Sequence, residues 1–164
     1  SKEKRREYVN FMINKAFEYY ENDKDIDIVT GNMEMDAIML LKEFEKKYPD
    51  FVNSLKNRLK SWGGNSAGKR LGNMDWNGFV KPDPFFPMTI GNYLEKDFDK
   101  IWLDDNNELL KKLREFPRNI KGKCSSCKYI DICNGGSRSR AYAISGDLWD
   151  EDPSCYLTLE EIKG

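Results

Sequence analysis

Apolar residues recur at intervals of three and four near the start of the chain: Tyr8, Val9, Met12, Ile13, Ala16, Phe17 and Tyr20. That is the period of an α-helix with one buried stripe, and it predicts a helix from Lys2 to about Asn22. The pattern then shortens. "DIDIVTG", Asp25 to Gly31, is brief, rich in β-branched residues and closed by glycine, which predicts a buried strand. "MEMDAIMLLKEFEKKY" returns to the helical period and stops against Pro49. Helix, strand, helix is one slice of an α/β layer. A parallel-type strand needs neighbours that nothing else in the sequence supplies, so the slice reads as a piece of something larger.

"DFVNSLKNRLKSW" continues as a short amphipathic helix, and then the composition changes abruptly at "GGNSAGKRLG", where Gly63, Gly64, Gly68 and Gly72 crowd together. A boundary is expected near Ser61, dividing the chain into residues 1–60 and 61–164. Asn77-Gly78 lies between Leu71–Trp76 and Phe79–Lys81, which predicts a β-hairpin whose two turn residues both take positive φ. The proline-rich "KPDPFFPM" cannot continue a central strand, and "LEKDFDKIW" and "NNELLKKLREF" predict short helices. The expected fold class is α+β, without internal repeats or low-complexity tracts.

At 164 residues the chain suffices for one ordinary domain or two small pieces. Its 27 Lys+Arg balance 28 Asp+Glu, so no strong field favours nucleic acid or an anionic membrane. The apolar run Ala37–Leu41 is far short of the roughly 20 residues a membrane span needs, and the charged opening "SKEKRRE" leads into a helix instead of a signal peptide. A soluble, cytoplasmic protein is expected. Met33, Met35 and Met39 read as core filling or as the cut face of a barrel. Histidine is absent, which removes the commonest metal ligand and general base, so a metal here must sit on sulfur or oxygen.

Sulfur is concentrated where such a site would need it. Cys124, Cys127, Cys133 and Cys155 are spaced C-x2-C-x5-C-x21-C. A reducing cytosol disfavours two disulfides. A C-x2-C pair suits zinc, but the usual zinc ribbon repeats that gap in its second half, and here x5 and x21 follow. Asymmetric spacing favours the larger 4Fe-4S core, whose thiolates stand further apart, and leaves zinc open. Gly135 and Gly136 directly follow Cys133 and Asn134, where glycine lets backbone N–H groups approach cluster sulfides or simply forms a turn. Arg138 and Arg140 diverge on a helix, so one is expected to face a cluster or bound anion and the other solvent, unless they pair with Asp150 or Glu151.

"GGNSAGKRLGNMDWNGFVKPDPF", "IGNYLEKDFDKIW" and "KCSSCKYIDICNGGSRSRAYAISGDLWDEDPSCYL" together resemble the C-terminal auxiliary-cluster region, of the SPASM and twitch type, of radical S-adenosylmethionine enzymes. Within that superfamily the chain is most similar to the porphyrin-modifying branch of haem biosynthesis and to maturases associated with tungsten-pterin oxidoreductases. The resemblance covers roughly Trp62 to Ile162. It implies that Cys124, Cys127, Cys133 and Cys155 hold an auxiliary 4Fe-4S cluster, with Gly135, Gly136, Arg138 and Arg140 around it. It also implies that residues 1–60 are the end of a partial (β/α) barrel, with Asn32 and Met33 near the active site.

The sequence departs from the family pattern in two places. The C-x3-C-x2-C motif that holds the catalytic cluster and S-adenosylmethionine is missing, so the chain is expected to be inactive alone and to belong to a longer enzyme. Positions where many relatives carry cysteines for a second auxiliary cluster correspond to Ser66 and Asp83, so one auxiliary cluster is expected; Asp83 reads either as facing substrate or as a turn cap. The resemblance implies an auxiliary cluster that relays an electron or anchors substrate while a tetrapyrrole, a pterin-type cofactor or a peptide is modified. Its implied partners are the N-terminal radical core of the same protein and a donor such as ferredoxin or flavodoxin. Lys128, Arg138 and Arg140 are the expected cationic groups for substrate carboxylates or phosphates. A dimer through the exposed barrel cut is a further expectation. The alternative from the residues alone is a zinc-stabilised four-cysteine binding module without redox chemistry.

Overall fold

The computed structural model describes residues 1–31 and 33–163. The expectation that Asn32 lies near an active site falls outside the described residues. Helix α1, Lys2–Glu21, starts where the Ser1 hydroxyl accepts the Lys4 N–H, and it buries Val9, Ile13 and Phe17 at fourfold spacing. Tyr8 and Tyr20, part of the predicted stripe, are exposed, so the contact face is narrower than the sequence pattern. Helix α2, Met35–Lys47, buries Met35, Ile38, Met39 and Leu41. A 3-10 turn at Pro49–Phe51 leads into α3, Val52–Trp62, which Gly63 closes at φ 71°. Rings of Phe17, Phe44 and Tyr48 interlock α1 with the end of α2, and the Phe17–Tyr48 pair meets edge-on at 5.7 Å.

The strand expected at Asp25–Gly31 does not form. Its residues have no ladder partner among the described residues, and Val29 is 82% exposed, the reverse of a buried strand. A strand is stabilised by the neighbour that takes its N–H and C=O groups, and hydrophobicity cannot replace that neighbour. Among the described residues the only sheet is the small one below, and no barrel strand is formed.

The sheet is small and antiparallel: β1 (Asn73–Met74), β2 (Phe79–Lys81) and β3 (Gly91–Asn92), in that order. Met74 pairs with Val80, and Val80 also pairs with Gly91. The predicted hairpin is present, but its turn differs from the expected form. Gly78 alone has positive φ (80°) there, while the Asp75 carboxylate accepts the N–H groups of Asn77 and Phe79 at 3.0 and 3.1 Å. An aspartate bracing a longer loop replaces the two left-handed residues. The predicted short helices follow as α4 (Phe98–Trp102) and α5 (Glu108–Arg114), and Ala67, Phe86 and Leu113 form a small second core.

The last stretch adds α6 (Ile130–Cys133), α7 (Arg138–Ser145) and α8 (Leu159–Ile162). The main core draws on both sides of the boundary expected near Ser61, joining Val9, Ile13, Phe17 and the α2 face to Ile132, Cys155, Tyr156, Leu157 and Ile162. Thr158 and Glu161 form a capping box at α8. Glu161 also takes a two-pronged bond from Arg6 of α1, at 2.7 and 2.6 Å, and an ion pair from Lys42 of α2. No helix among the described residues is long and apolar enough to cross a membrane.

The bonds from Arg6, helped by Lys42 and the Thr158 N–H, hold the Glu161 carboxyl well below the usual range. A depressed carboxylate contributes stability above its unfolded value of about 4.3 and loses it as pH falls through the folded value. Glu161→Gln should therefore cost roughly 1 kcal/mol at pH 7, with the gap to wild type closing below about pH 4. Denaturant titrations across pH check this, and a gap that stays constant would refute it.

Candidate metal centre

The thiols are carried by three turns and one loop. Cys124 lies in a 3-10 turn, Gly122–Ser126, and its carbonyl accepts the Cys127 N–H at 3.2 Å. The Cys127 carbonyl in turn accepts the Ile130 N–H, which starts α6, and Cys133 closes that helix. The chain then reverses through three successive residues of positive φ, Asn134 (51°), Gly135 (82°) and Gly136 (69°). Asparagine is among the few non-glycine residues that tolerate this region. Here its Oδ1 is also fixed, by the Arg118 N–H at 2.7 Å. Cys155 follows a loop whose Asp152 carbonyl accepts its N–H at 3.0 Å.

All four cysteines are free; Cys124 and Cys155 are buried and Cys127 and Cys133 half-buried. Burial pushes the Cys124 thiol up to about 11 and the Cys133 thiol well above its ordinary value, and it raises Cys127 too. Each of these three also feels the charge of Cys155, and Cys133 feels that of Cys124. Across the 21-residue gap, Cys155 belongs to the same core that Cys127 and Cys133 pack against. Among the described residues no group of three or more Cys, Asp or Glu is gathered tightly enough to hold a metal ion. Four free thiols in a chain without histidine are donor chemistry compatible with an iron-sulfur core.

The glycines serve packing. A Cβ on Gly135 would strike Ile120, and one on Gly136 would come within 2.5 Å of the Asp152 carboxylate. The Gly136 N–H goes to the Cys133 carbonyl at 3.2 Å. Arg138 is wholly buried and donates to four carbonyls: Leu148 at 2.8 Å, Asp150 at 2.6 Å, Gly136 at 3.3 Å, and Gly135. It meets Asp150 through the backbone, not the carboxylate. Arg140 grips Asp152 instead, Nε to Oδ1 at 2.8 Å and Nη2 to Oδ2 at 2.6 Å. Burial would raise Asp152, but Arg140 and the N–H groups of Ser154 and Ser137 outweigh it and hold the carboxyl below the usual range. Lys128 donates to the Lys163 carbonyl at 2.9 Å.

Beside Ile132 and Ser137, residues flanking Cys133 at a short distance, opens a cavity of about 870 Å³. Its wall is mostly apolar, from α1, α2 and the end of α3, with Glu34, Asp36, Asp83 and Arg140 as its charged groups. Asp83 caps its turn, Oδ1 accepting the Phe85 N–H at 2.7 Å, and it also lines the cavity. Burial raises Asp83 and Asp36, the latter also accepting the Tyr156 hydroxyl at 2.7 Å. Glu34 accepts from Asn65 through Oε1, while its buried Oε2 has no partner among the described residues. The sequence pattern does not single out Glu34, Asp36, Asp152 or Arg118. Asp36 offers a signal, a carboxylate inside the apolar stripe of α2; Asp152 offers another in "DPS", the start of a side-chain-capped turn.

Pre-heme d1 synthase of Dinoroseobacter shibae is 36% identical over 159 residues, covering 95% of this chain and 39% of its own length. Fe-coproporphyrin III synthase of Methanosarcina barkeri is 33% identical, covering 99% of this chain and 42% of its own length. AdoMet-dependent heme synthase of the same organism is 44% identical over 78 residues, 48% of this chain and 21% of its own length. The chain thus spans about two fifths of the length of the first two relatives. No family model matches, and no solved structure matches significantly.

Gly64 backs directly onto the cysteine turn: its φ is +68°, and an added Cβ would run into the Cys133 carbonyl. Gly146 has a similar φ (+76°) with open space around it. Gly64→Ala should cost about 3 kcal/mol or more, and Gly146→Ala about 1 kcal/mol from backbone strain alone. Paired thermal melts check the difference, and equal losses would mean the close approach has no energetic weight.

Proposed function

We propose, from the premise that this chain is homologous to radical S-adenosylmethionine haem-synthesis enzymes, that it is the auxiliary-cluster part of an enzyme that modifies a tetrapyrrole. Cys124, Cys127, Cys133 and Cys155 hold a 4Fe-4S cluster in this reading. The observation that carries it is a set of four free thiols in a chain without histidine, with Cys127 and Cys133 packed against the core that holds Cys155. Such a cluster supplies a one-electron relay or an iron that anchors substrate.

The chain's own residues supply the surroundings. Cys124 is buried and Cys133 half-buried, and Arg138 places a positive charge near both. Burial alone opposes the thiolate form; the guanidinium and the iron favour it. The adjoining cavity, apolar with carboxyl groups at Glu34, Asp36 and Asp83, receives the substrate's ring body. Of the cations first considered for substrate carboxylates, Arg140 lines this cavity while gripping Asp152, and Arg138 is spent on carbonyls. The radical-generating core of the same protein completes the enzyme, with a ferredoxin or flavodoxin as electron donor.

Anaerobic reconstitution with iron and sulfide should give a brown protein with about four irons per chain, bleached by dithionite. Cys124→Ala, Cys127→Ala, Cys133→Ala and Cys155→Ala should each lose most of that iron. A colourless protein holding one zinc under the same conditions would replace this reading with a zinc-stabilised module, and full iron content in Cys155→Ala would remove that residue from the ligand set.

A further inference from the structure

We infer that Asp152 and Lys123 form a clamp that positions the Cys155 thiol against the other three, an inference that rests on the four-cysteine cluster reading above. Cys155 is separated from Cys133 by 21 residues. Two side chains bond that loop to residues flanking the other thiols.

On one side is Asp152, 1% exposed. Its Oδ2 accepts the Ser137 N–H at 2.9 Å, just beyond the turn that leaves Cys133. Its Oδ1 accepts the Ser154 N–H at 2.9 Å, the residue directly before Cys155. Arg140 grips both oxygens, so the carboxylate cannot rotate without breaking bonds on either side. Gly136 is what lets Asp152 approach this closely. On the other side, Lys123 directly precedes Cys124, and its ammonium donates to the Cys155 carbonyl at 3.1 Å and the Leu157 carbonyl at 3.2 Å. Its own N–H goes to Glu151 Oε2 at 2.6 Å. The loop from Glu151 to Leu157 is thus tied at both ends to the stretches that carry Cys124 and Cys133.

Such groups hold a ligand in place through the backbone that bears it, and their loss characteristically weakens metal binding tenfold to a hundredfold. Neither residue donates to the cluster, so both are positioning residues. The clamp acts on one thiol, which gives it a signature of its own. When the fourth thiolate is not held, one iron loses its protein ligand and departs as a ferrous ion; ferricyanide then takes one electron from the remaining three-iron core and makes it visible by electron paramagnetic resonance.

The test compares wild type, Asp152→Asn, Lys123→Met and Cys155→Ser after anaerobic reconstitution with iron and sulfide. Asp152→Asn keeps the side chain's size but removes its charge and one acceptor; Lys123→Met keeps the stem and removes the donors. Iron loss to a chelator should be at least about tenfold faster in both variants than in wild type, with about three irons retained and the ferricyanide-dependent signal matching that of Cys155→Ser. Release of whole clusters, with an unchanged four-iron spectrum in the remainder, would mark general destabilisation and overturn the clamp. Wild-type release rates in both variants would also overturn it while leaving the cluster reading intact. If wild type itself takes up no iron, the cluster reading and the clamp fall together. Should Asp152→Asn fail to fold, Lys123→Met decides the matter, since it leaves the Arg140–Asp152 pair untouched.

Discussion

The stretch Cys155–Ile162 buries Tyr156, Leu157 and Ile162 among Val9, Ile13, Phe17 and the apolar face of α2, and this shared burial brings Cys155 into the core that Cys127 and Cys133 pack against. Closing a loop of 21 residues costs about 3 kcal/mol in chain entropy. Each large apolar side chain buried contributes roughly 2 kcal/mol in the opposite direction, so three of them outweigh the closure. The Glu161 pairs with α1 and α2 add less, because solvent still reaches them, but they fix which way the chain end lies. The position of a thiol near the C-terminus is therefore set by helices at the N-terminus. That is why the composition break near Ser61 is not a break in the core.

Around the thiols the interior is unusually polar, with Arg118, Asn134, Arg138 and Asp152 all nearly or fully buried. Buried charge is costly unless its hydrogen bonds are met. Arg138 meets its bonds with backbone carbonyls, and Asp152 divides its own between backbone N–H groups and Arg140. Arg118 meets its own only in part: Nε donates to the Leu113 carbonyl, yet Nη1 has no partner among the described residues, and burial lowers its guanidinium to about 10. Apolar residues in these places would pack without such demands. What the polar groups add is uniqueness, since each bond set is satisfied by one arrangement of Cys133, the glycine turn and the Asp152 loop. Arg138 has a second consequence, because its charge is felt at Cys124 and Cys133 and partly offsets the burial that opposes their thiolate forms.

The helices at both ends of the first half were legible because periodicity is a local property, and so was the hairpin, whose Asn-Gly pair marks a turn without saying which one. Asp25–Gly31 was not: its composition suits a strand, but pairing requires a second backbone, and no local pattern reports whether one is present. The narrower buried face of α1 has the same origin, since Tyr8 and Tyr20 belong to the stripe but find no neighbour there.

By itself the sequence determined the element types of most segments, the absence of histidine, and the sulfur spacing that points to iron, all of which are properties of neighbouring residues or of composition. Tertiary structure alone decided that Arg140 meets Asp152 rather than Asp150 or Glu151, that Arg138 is enclosed by carbonyls, and that Glu34, Asp36 and Asp83 share one cavity wall. These are contacts between segments far apart in the chain. They follow from how the whole core closes, and a reading of local pattern does not contain that information.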